Sequence, residues 1–183
     1  MRKGAYTISS RRIKKNLRLI DASNFTLSEI LKFSSTNDNI LVQSEDKKMF
    51  KRNDFKIVSK KKPSISLFND LIFAFNICRY VKSNAIVLAS NKSTLGIGCG
   101  QTSRLDSCQI AIDKMKKFTR PSKDIVAASD AFFPFTDGIE KLVQSGVKAV
   151  IQPAGSIKDK EVIKFANETG TILVFSKTRH FRH

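Results

Sequence analysis

Residues 63–183 alternate between helical and extended hydrophobic patterns, and a helical pattern comes first. Apolar side chains cover almost the whole circumference of Ser66–Val81, which predicts a buried, central helix. Apolar residues at positions 105, 108, 111, 112, 115 and 118 predict an amphipathic helix over Ser103–Phe118. The same reasoning predicts two shorter helices, Asp137–Gln144 and Asp159–Glu168.

Short apolar segments between these helices predict five strands: Ala85–Ala89, Thr94–Cys99, Ile125–Ala128, Lys148–Gln152 and Thr171–Phe175. A turn at 91–93 separates the first two, which favours an antiparallel hairpin. Helices separate the later strands, and such strand–helix–strand units favour parallel pairing. The prediction is an α/β fold whose mixed, largely parallel sheet is covered by helices.

The first 62 residues have a less regular pattern. Asn16–Ile20, Asn39–Gln43 and Phe55–Val58 are predicted strands, and Thr26 with Glu29 fits a capping box. We therefore divide the chain into a basic N-terminal segment, 1–62, and a C-terminal α/β subdomain, 63–183.

Positive charge is the main compositional feature of the chain. The sequence has 33 Lys and Arg against 16 Asp and Glu, for a formal net charge of +17. Residues 1–62 hold 16 basic and 6 acidic groups, a net of +10. Such a charge suits a nucleic acid or another polyanion, but it also follows from a general bias toward lysine. A small anionic substrate, which needs only a few placed cations, is a third interpretation.

Several classes of protein do not fit this composition. Three Cys without close pairs argue against a disulfide scaffold and for a cytoplasmic location. No Cys-x-x-Cys motif is present, so we expect no metal site. No apolar run approaches the roughly 18–20 residues that span a bilayer, and we expect neither a membrane segment nor a secretory signal. Aromatic residues do not alternate with the basic runs, so we do not expect nucleic-acid binding.

Candidate chemistry follows the strands, since ligands of open α/β sheets bind beyond the carboxyl ends of strands. The glycine-rich segment Gly96–Arg104 offers a close backbone approach, helix N–H groups and a guanidinium, although its glycines also suit close packing. Ala127–Gly138 places three Phe between carboxylates, either as core or as a slot for a flat heterocycle. Gln152–Ile157 is a turn before a helix. Arg179–His183 suits phosphate binding or an exposed basic terminus.

Taken together, these segments resemble the C-terminal part of the AICAR transformylase/IMP cyclohydrolase family, the bifunctional enzymes of late purine biosynthesis. Five matching stretches follow the family's order and approximate spacing: Lys82–Val87, Gly96–Arg104, Ser129–Phe135, Ile151–Ser156 and Arg179–His183. The resemblance covers about Lys14 to His183 and is strongest from Pro63. It implies a three-layer α/β/α fold like that of cytidine deaminases, without their zinc.

The resemblance also implies an activity. The family's transformylase moves a formyl group from 10-formyltetrahydrofolate to the 5-amino group of AICAR ribonucleotide. By this resemblance, Asn84 lies near the formyl group and the nucleotide. Arg104 and the Phe132 backbone hold the carboxamide, and Arg179 binds the 5′-phosphate.

Four further residues correspond to the folate site of the family. Leu105, Asp137, Ser156 and Ile157 contact the folate, with Asp137 against the pterin. The sequence departs from the family pattern just before Asp137, where Thr136 replaces the usual arginine.

The cyclohydrolase domain and the first half of the transformylase, which carries a catalytic Lys-His pair, have no counterpart in these 183 residues. We assign no catalytic residue and expect the chain to need that missing half. In the family, active sites form at a homodimer interface. Two alternatives remain: a folded, non-catalytic remnant or dimerisation module, and a basic polyanion-binding protein.

Overall fold

The computed structural model describes residues 31–118 and 123–182. The chain divides into two compact units, and the boundary falls between Glu45 and Asp46. The predicted strand Asn16–Ile20 and the predicted capping box at Thr26 and Glu29 lie outside the described residues. Within these limits, the structure tests most of the predicted elements directly.

The described part of the first unit is a β-hairpin. Strand β1 (Lys32–Thr36) pairs antiparallel with β2 (Asn39–Gln43). Strand β2 confirms the strand that was predicted over the same residues. Apolar side chains of both strands are exposed, Phe33 and Ile40 among them.

The described part of the second unit contains one six-stranded sheet and four helices. After a 3-10 turn, Arg52–Asp54, its elements are β3 (Phe55–Ile57), α1 (Ile65–Cys78), β4 (Ile86–Ser90), β5 (Ser93–Gly98), α2 (Arg104–Phe118), β6 (Ile125–Ser129), α3 (Asp137–Gln144), β7 (Val147–Pro153), α4 (Asp159–Glu168) and β8 (Ile172–Ser176). Each predicted helix and strand of residues 63–183 is therefore confirmed, with ends that shift by at most three residues.

The sheet is mixed, as predicted. Its strand order is β3-β8-β7-β6-β4-β5. The three central strands, β6, β7 and β8, are parallel, whereas β4 runs antiparallel to both of its neighbours. Strand β3 pairs antiparallel with β8 at the opposite edge. Four of the six strands consequently run in one direction.

Helices cover both faces of the sheet and make three layers. Helix α1 lies on one face, where Leu71, Ala74 and Phe75 are fully buried against strands β4, β6 and β7. Helices α2, α3 and α4 cover the other face, with Cys108, Ile139 and similar side chains in the second core. Burial of one such large apolar side chain stabilises the fold by about 1.5–3 kcal/mol.

The structure divides the chain at a different place from the sequence analysis. The predicted segment 1–62 includes β3, but β3 hydrogen-bonds to β8 and belongs to the main sheet. Ser59 strengthens this junction, because its Oγ accepts from the Leu173 amide at 2.9 Å. A strand of three residues carries little hydrophobic pattern, and its position depends on a partner more than 100 residues away.

The hairpin of β4 and β5 turns through Asn91 and Lys92, both with positive φ (51° and 53°). Residues other than glycine adopt this conformation at some cost. The carboxylate of Asp70, buried in α1, accepts from both backbone amides at 2.8 Å. Thus a polar residue inside an apolar helix stabilises the turn and ties α1 to the edge of the sheet.

Two glycines of β5 are in contact with the backbone of α2. A Cβ at Gly96 would lie 2.0 Å from the carbonyl oxygen of Ala111, and one at Gly98 would lie 1.9 Å from that of Ser107. Close packing, one of the two interpretations of the glycine-rich segment, therefore explains these two residues. Gly100 differs, since its φ is +69° and only a lysine side chain is near.

We predict that Gly96→Ala lowers the free energy of unfolding by about 3 kcal/mol, because α2 must move away from β5. Urea denaturation followed by circular dichroism measures this change. The matched control is Gly170→Ala, where φ is +68° and no atom lies within 4 Å of the added Cβ. It is expected to cost only about 1–2 kcal/mol, from backbone strain alone. Equal losses in the two variants would contradict the close-packing explanation.

Candidate functional site

Five loops meet at the carboxyl edge of the sheet, which is the side at which β5, β6, β7 and β8 end. Strands β6, β7 and β8 are parallel, so the segments that follow them leave from the same edge. Strand β4 runs the opposite way, and its first residue, Ile86, pairs with Ser129 at the end of β6 and with Gly98 at the end of β5. The segment before β4 and the segments after β5, β6, β7 and β8 therefore meet at this edge.

Arg104, the first residue of α2, joins three of these segments. Its Nε donates to Ser129 Oγ at 3.0 Å, and its Nη1 donates to the Phe132 carbonyl at 3.3 Å. Its Nη2 donates to Asn84 Oδ1 at 2.8 Å and to Asp130 Oδ1 at 2.9 Å. Since a guanidinium has five N–H donors, these four bonds leave one N–H on Nη1 for another acceptor.

Asn84 fixes the glycine-rich segment from the other side. Its Nδ2 donates to the carbonyl oxygens of Gln101 and Thr102, at 2.9 and 3.1 Å. Ser107 of α2 donates from its Oγ to the Asn84 carbonyl at 2.8 Å. Both donors of the Asn84 amide are thus in use, and its oxygen already accepts from Arg104.

Asp130 provides the negative charge beneath Arg104. The side chain of Asp130 is 1% exposed and that of Arg104 is 13% exposed, so the pair is nearly removed from water. The second carboxylate oxygen of Asp130 is buried and has no hydrogen-bond partner among the described residues. The charge of Arg104 is therefore balanced within the protein, and the guanidinium is held in one orientation.

A cavity of about 470 Å³ opens next to this cluster. Its volume lies within the ordinary range for small-molecule sites. Its lining residues are Asn84, Thr102, Ser103, Arg104, Leu105, Phe133, Pro134, Phe135, Asp137 and Gly138. One wall is polar, from the Arg104 cluster, and the opposite wall combines apolar side chains with the exposed carboxylate of Asp137.

The three phenylalanines of the loop after β6 have different environments. Phe133 belongs to the core, with 1% exposure, and its ring is in contact with the backbone of Gly138. Phe132 is half-buried and offers its carbonyl to Arg104. Phe135 is 61% exposed at the cavity wall. Of the two interpretations left open for this loop, core packing holds for Phe133, and an aromatic surface remains only at Phe135.

The structure brings together five of the eight predicted site residues. Asn84, Arg104, Leu105 and Asp137 line the cavity, and Phe132 contacts the same cluster through its carbonyl. The other three, Ser156, Ile157 and Arg179, lie outside the cavity lining, in the segments that follow β7 and β8.

Ser156 and Ile157 form a separate turn at the same edge of the sheet. The Oγ of Ser156 accepts from the Lys158 amide at 3.1 Å, and Ile157 is 99% exposed. The exposed Arg179 guanidinium lies over the Phe181 ring, 5.1 Å from its centroid. An entirely exposed C-terminal segment was one interpretation, but His180 is 1% exposed, so this interpretation is wrong for that residue.

Sequence reasoning missed the residues that support the site. Ser129 and Asp130 were visible as a polar pair directly after an apolar strand, but nothing local indicated that they face Arg104. Ser107, a polar residue within a predicted helix, was not singled out. Each of these partners lies more than 20 residues from the group that it binds.

Within 31–118 and 123–182, no group of three or more His, Cys, Asp or Glu side chains is arranged to hold a metal ion. No helix in this part of the chain is long and apolar enough to cross a membrane.

The fold is that of an α/β domain with a cavity of small-molecule size at the carboxyl edge of its sheet. A family model described as AICARFT/IMPCHase bienzyme matches residues 1–114. The chain therefore belongs to the AICARFT/IMPCHase bienzyme family, as the sequence resemblance predicted.

Relatives of known name agree with this family. The bifunctional purine biosynthesis protein PurH of Persephonella marina is 44% identical over 171 residues, which cover 93% of this chain and 33% of that protein. PurH of Chlorobium phaeobacteroides is 44% identical over 170 residues, with coverage of 93% and 32%. The chain thus spans about a third of the length of these relatives.

Among solved structures, the apo dCMP deaminase from cyanophage S-TIM5 matches 62% of this chain and 98% of its own length. The TM-score is 0.41 and the sequence identity is 19%.

We predict that Asp130→Asn lowers the free energy of unfolding by about 3–5 kcal/mol, because it leaves the buried guanidinium of Arg104 without its counter-charge. Ser129→Ala removes one neutral hydrogen bond to the same guanidinium and is expected to cost about 0.5–1.5 kcal/mol. Urea denaturation measures both values. A loss of the same size in the two variants would show that the charge of Asp130 does not stabilise the cluster.

We also predict that one thiol of the folded chain reacts rapidly at pH 8. Burial raises the pKa of Cys108 to about 12 and raises that of Cys78 well above its usual value, so both remain protonated and inaccessible. Cys99 is exposed at the start of the site loop. Titration with an aromatic disulfide reagent should give one fast thiol in buffer and three in urea. Loss of the fast reaction in Cys99→Ser confirms its identity, whereas its persistence contradicts the prediction.

Proposed function

We propose that this chain is the C-terminal, substrate-binding part of a phosphoribosylaminoimidazolecarboxamide formyltransferase. The observation that carries the proposal is the Arg104 cluster beside a cavity that also contains Leu105 and Asp137, in a chain of this family. The substrates are 10-formyltetrahydrofolate and AICAR ribonucleotide. The reaction belongs to late purine biosynthesis, for which we expect a cytoplasmic location.

The polar wall of the cavity suits the nucleotide. The one N–H of Arg104 that is not used internally is available to the carboxamide oxygen, and the Phe132 carbonyl is available to the carboxamide N–H. Asn84 lies between these groups and holds the loop that surrounds them. Arg179, a cation on the neighbouring segment, is assigned to the 5′-phosphate.

The other wall suits a folate. The Asp137 carboxylate is assigned to the N–H groups of the pterin, and the exposed Phe135 ring offers an apolar surface to a flat heterocycle. Leu105 adds a further apolar contact in the cavity. Ser156 and Ile157 stand outside it, and we assign them to the part of the folate that extends beyond the pterin.

In the proposed reaction, a bond forms between the nucleotide amine and the formyl carbon, and the bond from that carbon to N10 of the folate breaks. The amine loses a proton, and N10 gains one. The residues described here bind and orient the two substrates. A general base for the amine is assigned to the family's Lys-His pair, which lies outside this 183-residue sequence, and the family's homodimer completes the site.

Calorimetric titration tests this proposal. We predict that the purified chain binds AICAR ribonucleotide and an unreactive folate analogue saturably at physiological salt. Arg179→Ala should weaken nucleotide binding by at least about tenfold, because a charge-assisted contact to phosphate is lost. Asp137→Ala should weaken binding of the folate analogue by a similar factor.

Lys148→Ala is the matched control, because it removes an exposed positive charge at the amino end of β7, on the opposite edge of the sheet. Nucleotide affinity equal to the wild type is expected for it. Absence of binding would favour the folded, non-catalytic remnant. Affinity that falls steeply with salt and is equally weakened by Lys148→Ala would favour general polyanion binding.

A further inference from the structure

A hydrogen bond between a buried imidazole and a partly exposed carboxylate joins the two ends of the second compact unit. The Nδ1 atom of His180 lies 2.5 Å from Asp46 Oδ2. The imidazole is 1% exposed and packs against two rings, with centroid distances of 5.2 Å to Phe50 and 4.6 Å to Phe75. The Asp46 carboxylate is 30% exposed and thus lies on the solvent side of the buried imidazole.

The segment around His180 is tied to the same loops that hold Arg104. The His180 amide donates to the Asp130 carbonyl at 2.9 Å. Two residues later, the Arg182 amide donates to Ser83 Oγ at 3.1 Å, and the Arg182 carbonyl accepts from the Ser83 amide at 3.0 Å. Asp130 binds Arg104 directly, and Ser83 precedes Asn84 in the chain.

Arg179 has no comparable support of its own. Within the described residues, no hydrogen bond or ion pair holds its guanidinium, which contacts the ring of Phe181. The position of this cation therefore depends on the backbone of residues 179–182. That backbone is fixed by the three hydrogen bonds to Asp130 and Ser83 and by the fully buried side chain of the segment, His180.

We propose that His180 and Asp46 act as positioning residues for the nucleotide site: their buried contact fixes the segment 179–182 and places Arg179 at the same sheet edge as Arg104. The inference rests on the proposed function for the role of Arg179. It adds two residues that do not touch the substrate and act through the backbone of the terminal segment.

The test uses the full chain with Asp46→Ala, which removes the acceptor at a partly exposed position and leaves His180 in place. Hydrogen exchange is the first measurement. The amides of His180 and Arg182 should exchange about tenfold faster or more in the variant, whereas the amides of β4 and β6 should keep their rates. Unchanged rates at both residues would overturn the proposal.

Substrate affinity is the second measurement. Asp46→Ala should weaken AICAR ribonucleotide at least about tenfold and change the affinity of the folate analogue by less than about twofold. A merely structural loss would weaken both ligands. Equal weakening of both, or faster exchange with unchanged nucleotide affinity, would count against a positioning role.

A double-mutant cycle makes the test specific to Arg179. If Asp46 acts through this arginine, the chain with both Asp46→Ala and Arg179→Ala should bind the nucleotide no more weakly than Arg179→Ala alone. Additive losses would contradict the proposal. Asp46→Asn keeps an acceptor oxygen and should lie closer to the wild type. Asp113→Ala, at an exposed carboxylate that accepts a hydrogen bond from Gln109 of its own helix, is the matched control.

The failure of this inference can be distinguished from the failure of the proposed function. If the wild-type chain binds no AICAR ribonucleotide, the proposed function fails. The exchange rates of the His180 and Arg182 amides then decide alone whether the contact with Asp46 fixes the segment.

Discussion

The pairing of Arg104 with Asp130 is the interaction on which the site depends. One guanidinium contacts the segments before β4 and after β6 from the start of α2. Because the charge pair is almost fully removed from water, its hydrogen bonds tolerate little deviation in geometry. The loops therefore adopt positions in which these bonds can form.

The close approach of α2 to β5 makes this pairing possible. Gly96 and Gly98 let the helix backbone lie directly on the edge strand. This contact fixes the axis of α2, and Ser107 then hydrogen-bonds to the Asn84 carbonyl. The first residue of the helix, Arg104, is consequently aimed at the end of β6. Gly96 and Gly98 therefore influence the site indirectly, because they set the direction of helix α2.

Local patterns predicted the elements well and the long-range contacts poorly. Apolar periodicity over α1 to β8 fixed the helices and strands, because their burial produces that periodicity. Strand β3 is too short to show a periodic hydrophobic pattern, and its pairing with β8 was not predictable. Asp70 illustrates the same limit: as a polar residue in an apolar helix it gave no sign of the turn it binds.

The site was predicted in part for the same reason. Arg104 and Asp137 lie in segments that follow strands, and the topology of an open α/β sheet predicts that such segments meet at one edge. Leu105 was assigned from the family resemblance. Ser129 and Asp130 were seen in the sequence, but their role depends on Arg104, which lies 25 and 26 positions earlier. His180 lies in a segment whose residue types suggested either phosphate binding or an exposed basic terminus. Its burial follows from the rings of Phe50 and Phe75, which no local pattern connects to it.

The charges at this edge differ in what they offer to an anion. Arg104 is paired with a buried carboxylate, and most of its donors serve the protein, so it orients a ligand more than it attracts one. Arg179 is exposed and has no counter-charge among the described residues. In the function proposed above, the attraction for a phosphate thus resides in the terminal segment, whereas the recognition of the neutral carboxamide resides at the start of α2. Such a division requires a fixed terminal segment, and this segment is held by backbone hydrogen bonds to Asp130 and Ser83 and by the burial of His180 against two aromatic rings.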